Sequence, residues 1–413
     1  MVIAGAGMAG VQTAVALREE GWAGRIVLLG AEPHRPYDRP PLSKAVLLGK
    51  TDDPSFDVDF AALGVELHLG RRATGLRTGE RLLLTDAGPV PYDHLVIATG
   101  AEPRTLPGTE HLAAEPAAGR GGPGLHLLRT LDDAERLRPL LAERRDVVVV
   151  GAGWIGAEFA TAAREAGCAV TVVEAAGHPL AGVLPPEVAT RLAGWYRDSG
   201  AELLTGTTVV GVDGAGLLVS SGGGRPTRLT ADAVLVGIGA RPATDWLAGS
   251  GIELAEDGSV RADRWLRASA EEVYAVGDCA SFPSARYGER LLVHHWDNAL
   301  QGPRTVAANV VGSGRPDFTG AVYDPVPYFW SEQFGRFVQY AGHHTAGDRL
   351  LWRGDPAGAA WSVCWLRDGV LVALLAVGRP RDLAQGRKLI ERAAEIDPER
   401  AADASVPLKS AAR

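Results

Sequence analysis

Cysteine is scarce in this chain of 413 residues: Cys168, Cys279 and Cys364 are the 3 present, far apart and without a C-x-x-C pair. That pattern excludes a disulfide framework and a cysteine-ligated zinc site, as expected of a protein from a reducing cytoplasm. No run approaches the ~18 consecutive apolar residues that a membrane-spanning helix requires. Met1-Val2-Ile3-Ala4-Gly5 carries no basic flank and no apolar core ahead of the first glycines, so no secretory signal is expected. Excess positive charge is also missing, and a net charge of −8 argues against a general nucleic-acid binder. His294 and His295 are adjacent with no third ligand spaced nearby, so no metal site is expected. What is present is apolar content: 46% hydrophobic residues are ample for packed cores and exclude disorder of the whole chain. At ~150 residues per domain the length suggests two to four domains.

The 52 glycines gather in motifs rather than in low-complexity runs. Met1–Ala4 is a short apolar run that meets Gly5-Ala6-Gly7-Met8-Ala9-Gly10. Val11–Glu20 then has helical spacing, and Arg25–Leu29 is apolar and of strand length. The order strand, glycine turn, helix, strand defines a parallel βαβ unit. It recurs at Asp146–Val150, Gly151-Ala152-Gly153-Trp154-Ile155-Gly156, a helix to about Ala166, and Ala169–Val173. His94–Ala98 reads as a buried strand running into Thr99-Gly100, and Asp232–Gly239 closes the second copy in the same way. Thr109–Gly124, rich in Ala, Gly and Pro, reads as a loose surface connection. Val273–Val276 is another short strand, running into Gly277-Asp278. From about Asp317 no third fingerprint follows. Strand-like runs (Arg336–Tyr340, Ala360–Leu366, Val370–Val377) and a charged helical stretch, Leu383–Ala394, predict a mixed third domain.

In a G-x-G-x-x-G turn the first glycine makes the bend, the second admits a diphosphate to the backbone, and the third lets helix and strand pack closely. The helix N-terminus offers the anion free N–H groups and partial positive charge. Each copy also has an acid near the ~20-residue distance expected of a ribose acceptor: Glu32 and Glu174. Glu174 is followed by Ala175-Ala176-Gly177-His178, with no cation to meet a 2′-phosphate, which predicts NADH over NADPH unless Arg241 folds back. The expected class is α/β: two Rossmann-like dinucleotide-binding domains plus a C-terminal α+β domain. The expected boundaries are 1–108 with 240–316, then 109–239, then 317–413.

The blocks Gly5–Gly10, Pro36-Tyr37-Asp38-Arg39-Pro40-Pro41-Leu42-Ser43-Lys44, Ala98-Thr99-Gly100, Leu128–Ala134, Gly151–Glu158, Val276-Gly277-Asp278 and Tyr328–Gln333 resemble the putidaredoxin reductase group. Its members are FAD-dependent, NADH-oxidising ferredoxin reductases. The resemblance covers essentially the whole chain and implies a flavoprotein whose first domain holds FAD and whose second holds NADH. It places the FAD diphosphate at Gly5, Gly7, Ala9 and Gly10, the adenosine near Glu32, and a backbone contact to the adenine at Ala73. Ala98, Thr99, Gly100, Arg129, Gly277 and Asp278 would also border FAD, with Lys44 beside the flavin ring and Trp296 and Trp330 against its face. For NADH it implies Gly151, Gly153, Ile155, Gly156, Glu174 and Gly239, with Glu158 near the nicotinamide and the flavin N5 edge. One departure stands out: Ala31 occupies a position where the group often has an acid, which puts the ribose role on Glu32.

The residues themselves suggest roles for two of these groups. Lys44 would stabilise electron density arriving on a reduced ring, and Glu158 would pair with it. Asp278, directly after a strand and a glycine, also suits the cap of a following helix. No cysteine precedes Cys168, and the loop that would carry a redox-active one reads Pro41-Leu42-Ser43-Lys44. Electrons are therefore expected to leave by an external carrier, an iron–sulfur ferredoxin, after hydride transfer from NADH. A docking face for an acidic ferredoxin should be locally basic. Residues 314–413 hold 13 Lys and Arg against 12 Asp and Glu, with Arg379, Arg381, Arg387 and Lys388 as candidate rim charges. Two other readings remain open at this point: an NADH oxidase or acceptor reductase without a protein partner, and a redox sensor like the apoptosis-inducing-factor group.

Overall fold

The computed structural model describes residues 1–107, 109, 124–213, 216–313 and 317–413; the interior of the expected 109–124 connection lies outside the described residues. Val2–Ala4, Ile26–Leu29 and Leu95–Ile97 are buried at every position, as suits strands covered on both faces of a parallel sheet. Ile3 lies opposite Leu28 on one side and Val96 on the other, and Val65–His68 adds the outer strand. Helix α1 (Met8–Glu19) returns over this sheet with Val11, Ala14 and Leu17 buried. A three-stranded antiparallel flap, Ala73–Arg77 with Leu82–Thr85 and Val90–Pro91, follows the outer strand.

Ala101–Pro103 leads into a second five-stranded parallel sheet, in the order Glu202–Leu204, Val170–Val173, Val147–Val150, Ala233–Val236, Gly124–His126. Around it lie α2 (Leu131–Ala142), α3 (Trp154–Ala166) and α4 (Pro186–Asp198). Thr130 starts α2 with a capping box. Its hydroxyl accepts from Asp133 N, while the Asp133 carboxylate accepts from the N–H groups of Arg129 and Thr130, both at 2.9 Å.

The chain then returns. Ala240–Pro242 pairs antiparallel with the outgoing Ala101–Pro103, and Val273–Ala275 becomes the last parallel strand of the first sheet, beside Leu95–Ile97. The first unit is thus closed by residues 178 positions downstream of its fourth strand, Val273 pairing with Leu95. Helix α5 (Trp296–Gly312) packs on α1. The proposed capping role of Asp278 is not met: Gly277–Cys279 is a single 3-10 turn that passes into the strand Ala280–Ser284, so no helix follows for it to cap.

The last part of the chain is a five-stranded antiparallel sheet, in the order Tyr328–Gln333, Arg336–Gly342, Val370–Val377, Trp361–Arg367, Arg349–Arg353. Helix α6 (Pro380–Glu391) covers it, starting three residues before the expected Leu383 because a proline at the first helical position has its φ preset. A short helix, α7 (Pro398–Ala402), follows. Arg353, 1% exposed, donates to Asp382 (3.0 Å) and to the carbonyls of Ala401, Asp403 and Val406, tying the C-terminal segment to the sheet.

Candidate functional site

The two glycine loops have the same geometry. A Cβ at Gly5 would lie 2.2 Å from Ala98 O, and one at Gly10 would lie 1.8 Å from Gly5 O. At Gly151 and Gly156 the corresponding distances are 2.3 Å to Gly237 O and 2.0 Å to Gly151 O. The middle glycines differ: nothing lies within 4 Å of the Cβ position of Gly7 or Gly153. Open space therefore stands where a diphosphate would approach, and bare packing where helix meets strand. Neither helix has a side-chain cap, and the first intrahelical bonds run from Val11 N to Gly7 O and from Ala157 N to Gly153 O. The N–H groups ahead of them face the loops, as an anion site requires.

The first loop opens into a cavity of ≈ 620 Å³, within the range of cofactor sites. Of the expected site residues, Gly5, Gly7, Ala9, Glu32, Lys44, Ala73, Ala98, Thr99, Gly100, Arg129, Ile155, Glu158, Asp278, Trp296 and Trp330 line it. Gly10 is packed behind Gly5, and Gly277 meets Ala9, where an added Cβ would be 3.0 Å away. Gly151, Gly153, Gly156, Glu174 and Gly239 lie outside this cavity, in the second unit and at its exit. The cavity thus follows the first unit from loop to α5, and α3 reaches it from the side with Trp154, Ile155 and Glu158.

At one end Glu32 is already engaged: Tyr37 donates to its Oε2 (2.5 Å) and Arg39 to its Oε1 (2.6 Å). Arg39 also donates to Arg129 O, and Arg129 reaches Asp278 at 3.2 Å. Burial and the neighbouring Arg39 lower the pKa of the Arg129 guanidinium. Trp296 donates to Asp38 (2.8 Å) and meets Trp330 edge to face at 5.6 Å; burial raises the Asp38 carboxyl, with the indole bond opposing.

The other end centres on Glu158, 6% exposed. Its Oε2 accepts from Ser43 Oγ (2.6 Å) and Lys44 Nζ (2.5 Å), and its Oε1 accepts from Ser331 Oγ (2.7 Å). Ser43 and Lys44 come from a 3-10 turn of the first unit, Glu158 from α3 of the second, and Ser331 from the first strand of the third. Three parts of the chain therefore converge on one carboxylate. A second cavity of ≈ 420 Å³ backs this cluster, bordered by the exposed pair Lys50–Glu165.

In the second unit the Glu174 carboxylate accepts from the N–H groups of Ala152 and Ala176, each at 2.8 Å. It therefore clasps its own glycine loop. Arg241 does not fold back toward it; Asp245 (2.7 Å) and Glu102 (3.0 Å) hold it. The three cysteines are free and buried, and burial pushes the Cys279 thiol up to about 11 and the Cys364 thiol up to about 12. No group of His, Cys, Asp and Glu suited to a metal ion is found among the described residues. Among them, too, no helix is long and apolar enough to cross a membrane. Of the candidate rim charges, Arg379 pairs with Asp382 (2.5 Å) and Arg387 with Asp297 (3.4 Å), while Arg381 and Lys388 are exposed. Sequence reasoning missed Ser43, Ser331, Tyr37 and Arg39 as contributors. All four sat inside quoted blocks, and a hydroxyl or charge in an otherwise proline-rich or aromatic block was the available signal.

Fold and site together define an oxidoreductase built for two dinucleotides, whose third unit completes the wall of the site. The chain belongs to the pyridine nucleotide-disulphide oxidoreductase family, whose model matches residues 1–302; a model described as reductase C-terminal matches residues 328–412. It is 35% identical to rhodocoxin reductase of Rhodococcus erythropolis, over 100% of this chain and 94% of that protein. It is also 35% identical to the benzene 1,2-dioxygenase system ferredoxin–NAD(+) reductase subunit of Pseudomonas putida, over 100% and 97%. The crystal structure of a covalent putidaredoxin reductase–putidaredoxin complex superposes with a TM-score of 0.90 at 32% identity, covering 99% of this chain and 97% of that one.

Proposed function

We propose that this chain is an FAD-dependent reductase that takes electrons from NADH and passes them to a small iron–sulfur ferredoxin serving a monooxygenase or a ring-hydroxylating dioxygenase. The observation that carries the reading is the carboxylate of Glu158, bound at once by Ser43, Lys44 and Ser331 in the wall of a cavity that runs from the first glycine loop. The full-length likeness to ferredoxin reductases supports the activity and the partner. When bound, FAD supplies the exchange between a two-electron donor and a one-electron acceptor.

The chain's own residues bind and orient. The loop Gly5–Gly10 and the N-terminus of α1 would hold the FAD diphosphate, Arg129 and Asp278 would border its middle, Ala73 and Glu32 its adenosine end, and Trp296 and Trp330 its ring. Because Tyr37 and Arg39 occupy both Glu32 oxygens, Glu32 offers a ribose only its remaining lone pairs. The loop Gly151–Gly156 and Glu174 hold NADH, with Gly239 at the exit of that unit and Ile155 and Glu158 on the path to the flavin. Lys44 places a cation at the ring, and Glu158 fixes it there. On this reading 1–108 with 240–316 is the FAD unit, 109–239 the NADH unit, and 317–413 the unit that supplies Ser331 and Trp330.

With no cysteine at Ser43 or beside it, electrons leave without a thiol relay. The test is cytochrome c reduction by the purified yellow protein with NADH, with and without a panel of ferredoxins. Activity that requires a ferredoxin supports the reading; protein that stays colourless after soaking with flavin removes it.

A further inference from the structure

His295 has features that this reaction leaves unused. It immediately precedes α5, whose first internal bond runs from Ala299 N to His295 O, so the N–H groups of Trp296, Asp297 and Asn298 precede the helical ladder. Its ring lines the main cavity and packs on Phe329 with centroids 4.5 Å apart, and Phe329 in turn meets Trp154 at 4.6 Å. Its Nδ1 is buried and has no hydrogen-bond partner. A buried polar atom left unsatisfied is costly and calls for a reason. The charged and titratable groups around the ring are few. The 277–279 turn brings the Asp278 carboxylate and the histidine's own segment brings His294, while the strand Tyr328–Gln333 and α3 bring apolar Phe329 and Trp154. Burial pushes the His295 imidazole down to about 4, with Asp278 opposing and His294 adding, so the ring is neutral at pH 7.

We propose that His295 is a redox-linked proton acceptor of the main cavity: it takes up a proton from solvent when the bound FAD is reduced and returns it when the electrons leave. This rests on FAD lying in that cavity, as proposed above. NADH gives NAD⁺ and a hydride, that is, two electrons and one proton, so the cavity gains one net negative charge. A proton on His295 cancels that charge. When two ferredoxins remove the electrons singly, both protons depart. Since one came from solvent, the net release is still one proton per NADH. A negative charge arriving close to an imidazole favours its protonated form, and more so in a wall with little water.

The test is the midpoint potential of the bound flavin against pH, from about 5 to 8, in the wild type, His295→Gln and His294→Gln. In a two-electron couple, one extra proton bound on reduction is a tenfold change in equilibrium constant per pH unit, or ~30 mV. His295→Gln should lose that increment of slope and His294→Gln should keep it. Equal slopes in the wild type and His295→Gln overturn the proposal. If His295→Gln fails to retain FAD, ¹⁵N-histidine NMR of the wild-type holoprotein decides: an imidazole that gains charge on reduction supports the proposal, and none doing so overturns it. Protein that never binds flavin defeats the proposed function instead, so the two failures are distinct.

Discussion

A single carboxylate gathers side chains from three parts of the chain, and the proposed mechanism turns on it. Glu158 holds Lys44 at 2.5 Å, so Glu158→Gln should leave the lysine without its charged partner, and Lys44→Ala should remove the cation altogether. Each is expected to slow reduction of the flavin by NADH tenfold or more, ~1.4 kcal/mol of barrier, as read by stopped-flow absorbance; an effect within twofold would remove both from the mechanism. On the proposed reading Glu174 has two duties, clasping its loop and receiving the NADH ribose. Because it clasps Ala152 N and Ala176 N, Glu174→Ala should raise KM for NADH severalfold while NADPH gains little. A substitution that merely removed the repulsion of a 2′-phosphate would instead improve NADPH clearly. At this scale the sequence made Lys44 and Glu158 visible through their blocks, but not their hydroxyl partners. Ser331 is 173 positions from Glu158, and only the meeting of α3 with the third unit's first strand joins them. The engagement of Glu32 by Tyr37 and Arg39 was equally hidden, since it depends on how residues 32–44 fold back on themselves.

Strand–loop–helix elements were the most legible part of the chain, because the glycines do mechanical work that has no substitute. Gly10→Ala would drive a Cβ into Gly5 O, and Gly156→Ala would do the same to Gly151 O. The two variants should part company: Gly10→Ala is expected to purify with little or no flavin, and Gly156→Ala to remain yellow but to be poorly reduced by NADH. Absorbance near 450 nm and NADH titration separate them. The Leu128–Ala134 block proved to be a helix start, with Thr130 and Asp133 exchanging bonds at the head of α2. Asp278 was misread locally because an acid after strand and glycine looks the same whether a helix or a lone 3-10 turn follows; the strand that comes next was the deciding fact.

Across the whole molecule, the third unit was legible as a mixed sheet and helix, but its part in the site was not. A buried knot ties it together: Arg353 is enclosed and shares Asp382 with Arg379. Asp382→Ala leaves that guanidinium uncompensated and should cost ~3–5 kcal/mol in denaturant unfolding. The same unit should be acid-sensitive. His344 stacks on Trp365 and bonds Tyr340 at 2.6 Å, and burial lowers its pKa to about 4, with His343 and Arg367 adding and Asp348 opposing. The unfolded imidazole titrates near ~6.5, so the unfolded chain binds the proton first. Stability is then full above that pH and falls toward 4. His344→Gln should flatten the loss of Tm between pH 7 and 5. Ferredoxin reduction, unlike that of a small dye, should weaken with added salt; equal sensitivity would argue against a charged docking face. Finally, the outgoing and returning chains at Ala101–Pro103 and Ala240–Pro242 run side by side as one two-stranded ribbon. The covalent chain therefore enters and leaves the middle unit through one ribbon, while Glu158 and Arg129 tie that unit to its neighbours side chain by side chain. Splicing residue 103 to residue 240 removes Arg129 and Glu158 along with the loop 151–156, so the shortened protein should no longer respond to NADH and should hold its yellow pigment less tightly.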